Sequence, residues 1–134
     1  MKKVVFAVAL GLMSTFALAQ TEVSVSITGP GGHSNGNYGR VNAVHAASNA
    51  IMQLTEEHPD FVIANFSGGN SVNSIAGDAR FTVVVPDGVT QKEAQALVTK
   101  AVQAGVDQEN AFRNVKPGQK LDDGTDISVR FRVK

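Results

Sequence analysis

Apolar and polar residues alternate strictly from Glu22 to Thr28, with Val23, Val25 and Ile27 on one side and Ser24, Ser26 and Thr28 on the other. A period of two belongs to a strand with one buried face. The period changes to 3.6 over Arg40–Pro59, where Val41, Val44, Ala47, Ile51 and Leu54 form one stripe. The alanines there favour a helix and Pro59 stops it. Phe61–Phe66 reads as a second strand and Ala79–Val85 as a third, followed by a Pro-Asp-Gly turn signal at 86–88. A second helix is expected over Thr90–Gly105. Thr90 and Glu93 are spaced as a capping box, Ala94, Leu97, Val98 and Ala101 make its stripe, and Gly105 supplies a stop. Val106–Gln119 reads as a long connection. Asp126–Val133 then alternates again, Ile127, Val129, Phe131 and Val133 facing in and Ser128, Arg130 and Arg132 facing out.

The resulting order is β-α-β-β-α-β. Each β-α-β half requires a right-handed crossover, and the two middle strands require a hairpin-like connection. A ferredoxin-like α+β sandwich meets these conditions, with a four-stranded antiparallel sheet carrying both helices on one face. No internal repeat, linker or low-complexity tract interrupts residues 20–134.

The first 19 residues follow a different pattern. Lys2 and Lys3 precede an apolar run from Val4 to Phe16, and Ala17-Leu18-Ala19 has the small-x-small form of a cleavage site. The run is too short for a membrane span and has the three regions of a secretory leader in order, so cleavage is expected before Gln20. A periplasmic or secreted location follows from that reading. The leader carries two of the 12 basic residues and none of the 12 acidic ones, so the remainder has a net charge of −2. A near-neutral domain lacks the electrostatic footprint for nucleic acid, and nothing in it points to a membrane surface. With no cysteine, neither a disulfide framework nor a thiolate metal site can be built.

Two loops hold the remaining chemistry. Thr28–Arg40 contains His33 among five glycines, at 29, 31, 32, 36 and 39. Ser67–Asp78 is polar and contains Gly68, Gly69 and Asn73. A histidine titrates near neutral pH, and glycines allow close backbone approach. Because the first helix begins near Arg40, its free N–H groups could also receive a carboxylate or phosphate, assisted by Arg40 or His33; an ordinary glycine-rich turn is the alternative. Ser34 beside His33 forms no triad through sequence adjacency, and no G-x-S-x-G elbow occurs. His45 lies among alanines on the first helix, where packing against a neighbour is expected, and His58, before Pro59, is expected to be solvated. The three histidines fall on three segments without zinc spacing, so neither a metal site nor a cofactor is expected.

The run from Gly29 to Ile51, followed by Phe66 to Val85, resembles the dimerisation (lid) domain of the M20 family of metallopeptidases. The residues that carry the resemblance are Gly32, His33, Ser34, Asn42, Ala43, Gly68, Gly69, Val72 and Asn73. The resemblance implies a lid that normally accompanies a zinc-binding catalytic domain and pairs with a second lid. It also implies that the loop histidine reaches a neighbour's active site to bind substrate and stabilise an oxyanion, a large catalytic contribution where the donor is preorganised. Asn73 matches a lid asparagine near the same pocket. The only Glu-Glu pair in this sequence, Glu56-Glu57, falls at a helix end, where a solvated end rather than a metal site is expected. Ala76 stands where the family usually has proline, and Pro86 where an arginine commonly closes the third strand.

The sequence is thus expected to encode a non-catalytic dimerisation or binding module, forming a homodimer through sheet edge and helix or binding a zinc M20 peptidase. The alternative is an accessory subunit that lends His33 and Asn73 in trans to a zinc peptidase or amidohydrolase. The site candidates under both readings are His33, Asn73, Gly31, Gly32, Ser34, Arg40, Gly68 and Gly69.

Overall fold

The computed structural model describes residues 20–134; the leader expected over residues 1–19 lies outside them. Six strands and two helices follow in the order β1 (Glu22–Thr28), β2 (Gly32–His33), α1 (Ala43–Glu57), β3 (Val62–Gly68), β4 (Ser74–Ile75), β5 (Asp78–Val84), α2 (Gln91–Phe112) and β6 (Arg130–Val133). Four strands form an antiparallel sheet in the order β3-β5-β1-β6, which is the ferredoxin-like arrangement expected from the sequence. Both helices cover one face. The inward residues of β1, Val23, Val25 and Ile27, are fully buried with Phe81 and Val83 of β5. The opposite face carries Ser24, Ser26, Thr28, Arg80 and Arg132 and is open.

The capping box forms as expected: Thr90 Oγ1 accepts from Glu93 N at 3.2 Å, and Glu93 Oε2 accepts from Thr90 N at 3.1 Å. The end of α2 does not. The helix runs through Gly105 to Phe112, so the first half of the expected connection, from Val106, is helical. Asn114 ends it instead, with φ 53°. Asn114 N donates to Ala111 O and Val115 N to Asn110 O, the two bonds of a Schellman stop. Gly105 serves packing: it is buried where α2 crosses Ala46 and Ala50 of α1. That close crossing also explains why α1 is rotated from its expected stripe. Its buried residues are Ala43, Ala46, Ala47, Ala50 and Leu54, while Val44 and Ile51 are only partly covered. Small side chains face α2 because a larger one would hold the helices apart.

The edges differ from expectation as well. In β3, Asn65 and Phe66 together oppose the single residue Phe81 of β5, because the register shifts between Ala64 and Ser67. This is a bulge, and Asn65 takes the left-handed conformation at φ 54° within it. Phe66 meets Phe81 edge-to-face, with centroids 6.4 Å apart, while staying exposed at the sheet edge. The last strand is shorter than the alternation suggests, because Asp126–Val129 bond elsewhere. Ile127 N donates to Gln119 O, and Val129 N donates to Asn110 Oδ1 at 2.8 Å. Asp126 accepts from Lys120 and lies 3.1 Å from Arg130.

The Lys120 hydrogen bond, aided by the charges of Lys120 and Arg130, holds the Asp126 carboxyl below the usual carboxylate range; bonds from Thr125 do the same for Asp123. A carboxylate with a depressed folded-state pKa stabilises the fold above its unfolded pKa and ceases to do so as pH falls through the folded value. Asp126→Asn should therefore be less stable than wild type at neutral pH. The difference should shrink on descending from about pH 5 to about pH 2, as read by urea midpoints. A difference that grows on acidification would contradict this.

Candidate functional site

The two glycine loops, far apart in sequence, meet as a second, two-stranded ribbon. Strand β2 pairs antiparallel with β4, placing Gly32 opposite Ile75 and His33 opposite Ser74. Ser34 continues the pairing, since its N and its Oγ both donate to Asn73 O at 3.0 Å. His33 and Asn73 are thereby held one step apart on facing strands. The sequence assigned both segments to loops; a two-residue strand carries no periodicity from which to read it.

The base of the ribbon depends on two glycines. Gly31, at φ 64°, lies against Gly77, and a Cβ on either would come within 3.2 Å of the other's Cα. Gly29 N donates to Gly77 O at 2.9 Å just below. Arg40 donates from one guanidinium nitrogen to Gly31 O at 2.9 Å, and Asn37 Nδ2 donates to His33 O at 2.8 Å. Both side chains lie within about 3 Å of where a Cβ on Gly32 would stand. Arg40 thus supports the loop from beneath. At the other loop, Gly68 fits between Asp78 O and Val44, and Gly69 N donates to Asp78 O at 3.2 Å.

The N-terminus of α1 is already occupied. Asn42 is its cap, and Asn42 Oδ1 accepts from Val44 N at 2.9 Å and His45 N at 3.2 Å. Ala43 N donates to Ala76 O, and Asn42 N donates to Glu109 Oε1 at 2.9 Å. The N–H groups considered from the sequence as an anion receptor are consequently committed to the protein itself.

Glu109 was not singled out from the sequence. It is 2% exposed, the one buried charged residue among those described. It accepts from Asn42 N and from Arg113 Nε at 3.1 Å, and its second oxygen lies 3.9 Å from His45 Nδ1. Its signal was present: the buried positions Ala94, Val98, Ala101, Val102, Gly105 and Val106 continue at helical spacing onto 109. Reading Gly105 as a stop hid it. His45 itself is half-exposed beside this carboxylate, rather than packed. His58 is half-buried and stacks on Phe61 at 4.6 Å, where solvation was expected.

Between the loops lies an open hollow of about 460 Å³, lined by His33, Asn70, Ser71, Ser74 and Asp78 with the loop glycines. His33 and Asn73 are exposed. Ser71 Oγ donates to Asn73 Oδ1 at 2.8 Å, which leaves the Asn73 amide nitrogen as its remaining hydrogen-bonding atom, a donor. The Ser34 hydroxyl, bound to Asn73 O, is not directed to His33 as a nucleophile. Among the described residues no three histidine or acidic side chains gather where a metal ion could sit. The ribbon can therefore present two hydrogen-bond donors, His33 and Asn73, to a group arriving from outside.

The sequence profile of the peptidase dimerisation domain of M20 enzymes matches residues 17–110. The chain belongs to that family. The fold of this dimerisation domain recurs in solved structures: a candidate amidohydrolase/peptidase from Burkholderia cenocepacia (18% identity, TM-score 0.58, 86% of this chain and 27% of that one), aminoacylhistidine dipeptidase from Vibrio alginolyticus (20%, 0.56, 84% and 21%), and a tripeptidase from Staphylococcus aureus (15%, 0.53, 84% and 28%). The chain thus spans between a fifth and three-tenths of the length of these proteins. No curated protein matches the sequence. The dimerisation domain includes no helix, among the described residues, long and apolar enough to cross a membrane.

Proposed function

We propose that this dimerisation domain is a non-catalytic module that pairs with a second copy of itself through β3 and α1, in the periplasm or outside the cell. The observation that carries this reading is the β3 edge. Val62 and Phe66 are 59% and 45% exposed there. An edge strand offers unpaired backbone groups to another strand, and exposed apolar side chains around it supply the burial that makes pairing stable. The first half of β3, Val62–Ala64, keeps regular pairing with β5 and is uncharged. The leader pattern over residues 1–19 supports export.

The test is amide hydrogen exchange of β3 as a function of protein concentration. Protection of Val62–Ala64 should rise with concentration in the wild type, and Val62→Lys should remove that rise without changing exchange in β1. Concentration-independent exchange in β3 would refute the pairing. The same preparation should hold no stoichiometric zinc after dialysis and show no chelator-sensitive peptide or amide hydrolysis. Hydrolytic zinc sites need about three converging ligands and an open water position. One tightly held zinc per chain with chelator-sensitive turnover would restore an enzyme reading.

A second reading is favoured by the loop tips: Tyr38 and Val72, in the loops that carry His33 and Asn73, are almost wholly exposed. Exposed apolar tips in the same loops as two free donors suit a ribbon that enters the active site of a zinc peptidase or amidohydrolase and completes it in trans. That reading predicts that adding the domain to such a partner raises its turnover, and that His33→Ala removes the gain.

A further inference from the structure

The opposite edge of the sheet, β6, is built differently from β3. It is the end strand, bonded only to β1. Ser24 and Lys134 exchange both backbone bonds at 2.9 Å. Antiparallel pairs alternate, so Arg132 and Arg130 also turn their backbone groups toward β1, and Phe131 and Val133 turn theirs away from the sheet. One position earlier in this outward series, Val129 is already served by a side chain: Val129 N donates to Asn110 Oδ1 at 2.8 Å and Asn110 Nδ2 donates to Val129 O at 3.4 Å. The amide of Asn110 stands where a neighbouring strand's peptide group would stand. The next two positions are left to a partner.

The side chains beside this edge differ on its two faces. On the open face, Arg130 and Arg132 lie opposite Thr28 and Ser26, and with them line a hollow of about 420 Å³. Arg80 flanks Ser26 from β5. Arg130 is shared with Asp126, whereas Arg132 pairs with no carboxylate among the described residues. On the helix side, Val106, Pro117, Val129 and Phe131 form the apolar part of a second hollow of about 280 Å³ against the same strand, completed by Gln103, Asp107 and Asn110. The strand's own side chains therefore alternate cations on one face, Arg130 and Arg132, with apolar residues on the other, Phe131 and Val133.

We propose that the free edge of β6 docks an extended peptide segment in which acidic and apolar residues alternate. Its backbone bonds to Phe131 and Val133, an acidic residue faces Arg132 on the open side, and apolar neighbours enter the hollow by Phe131. Backbone bonds give affinity in such strand addition, and alternate side chains give selectivity. The position opposite Arg132 falls between the bonded pairs, where facing side chains approach most closely. A second copy of the same strand does not suit this edge. Antiparallel self-pairing that keeps the faces aligned sets arginine against arginine or lysine on the open side, and like charges directly opposite destabilise a pair. The partner is thus a different, acidic segment, and the site is independent of pairing through β3.

The probe is a labelled, end-blocked peptide of alternating glutamate and valine, titrated against the full chain by fluorescence anisotropy. Saturable binding is expected, with shifts at the Phe131 and Val133 amides in an NMR titration. Arg132→Glu should weaken it at least about tenfold, and a lysine-valine probe should then prefer the variant over the wild type. A probe N-methylated on the nitrogens facing β6 should not bind. Absence of saturable binding, equal binding of the N-methylated probe, or amide shifts confined to β3 would each overturn the assignment.

Discussion

Gly105→Ala should lower the midpoint of thermal unfolding by about 8 °C, although alanine is the better helix former. The Cβ would stand 2.6 Å from Ala50 N, 2.7 Å from Ala46 O and 2.9 Å from Ala50 Cα. All three atoms are backbone of α1, so no side-chain rotation relieves the clash. The substitution gains up to about 1 kcal/mol of helix propensity. Against this, forcing volume into a packed core costs about 1–3 kcal/mol, and more where backbone must move. Here the helices must separate along their crossing, which also loosens Ala46, Ala50, Val98 and Val102, all buried. A net loss of roughly 2 kcal/mol corresponds to a shift of about 8 °C for a domain of this size. Had Gly105 been the helix stop suggested by its identity alone, it would have taken a positive φ; it does not, and it is not among the glycines that do. Differential scanning calorimetry decides the matter, and an unchanged or raised midpoint would show that α1 and α2 do not cross this closely.

Glu109→Ala should be the second severe change. The carboxylate accepts from Asn42 N and Arg113 Nε inside the protein. Removing it leaves the N–H that begins α1 without a partner and the mostly covered Arg113 guanidinium uncompensated. Breaking a buried pair from one side costs about 3–5 kcal/mol, because the remaining charge stays desolvated. Glu109→Gln should cost clearly less, since its carbonyl can still accept from Asn42 N. The local readout is amide exchange at Ala43, Val44 and His45. Their donors are held by Ala76 O and the Asn42 side chain, and they should exchange faster in Glu109→Ala before global unfolding is reached. Equal stability of the alanine and glutamine variants would mean that the hydrogen bond to Asn42 contributes nothing. Glu109 thereby links α2 to the start of α1, and through Asn42 and Arg40 to the loop that carries His33.

The elements with long, regular patterns were legible before the structure. The strict alternation of β1, the capping box at Thr90 and the four-strand, two-helix order all correspond to the observed fold. The failures share one cause: a residue type was given its commonest local meaning where tertiary packing used it otherwise. Gly105 is a packing residue, not a stop. Val44 and Ile51 are apolar, yet alanines take the buried positions because α2 comes too close for anything larger. Residues 126–129 alternate as a strand, but Asn110 and Gln119 take their backbone bonds. The candidate site was legible in composition only. His33 and Asn73 are 40 positions apart, and nothing in their spacing shows that β2 and β4 pair and bring them one step from each other. The positive φ at Asn65 and the bulge around it arise from register in the sheet, which single-strand alternation does not encode.

Sedimentation equilibrium of residues 20–134, beside the Val62→Lys variant, reads self-pairing through β3. The wild type should show a reversible monomer–dimer equilibrium, with dimer dominant at high micromolar concentration, and the variant should be a monomer throughout. A wild-type protein that remains monomeric at high micromolar concentration would contradict it.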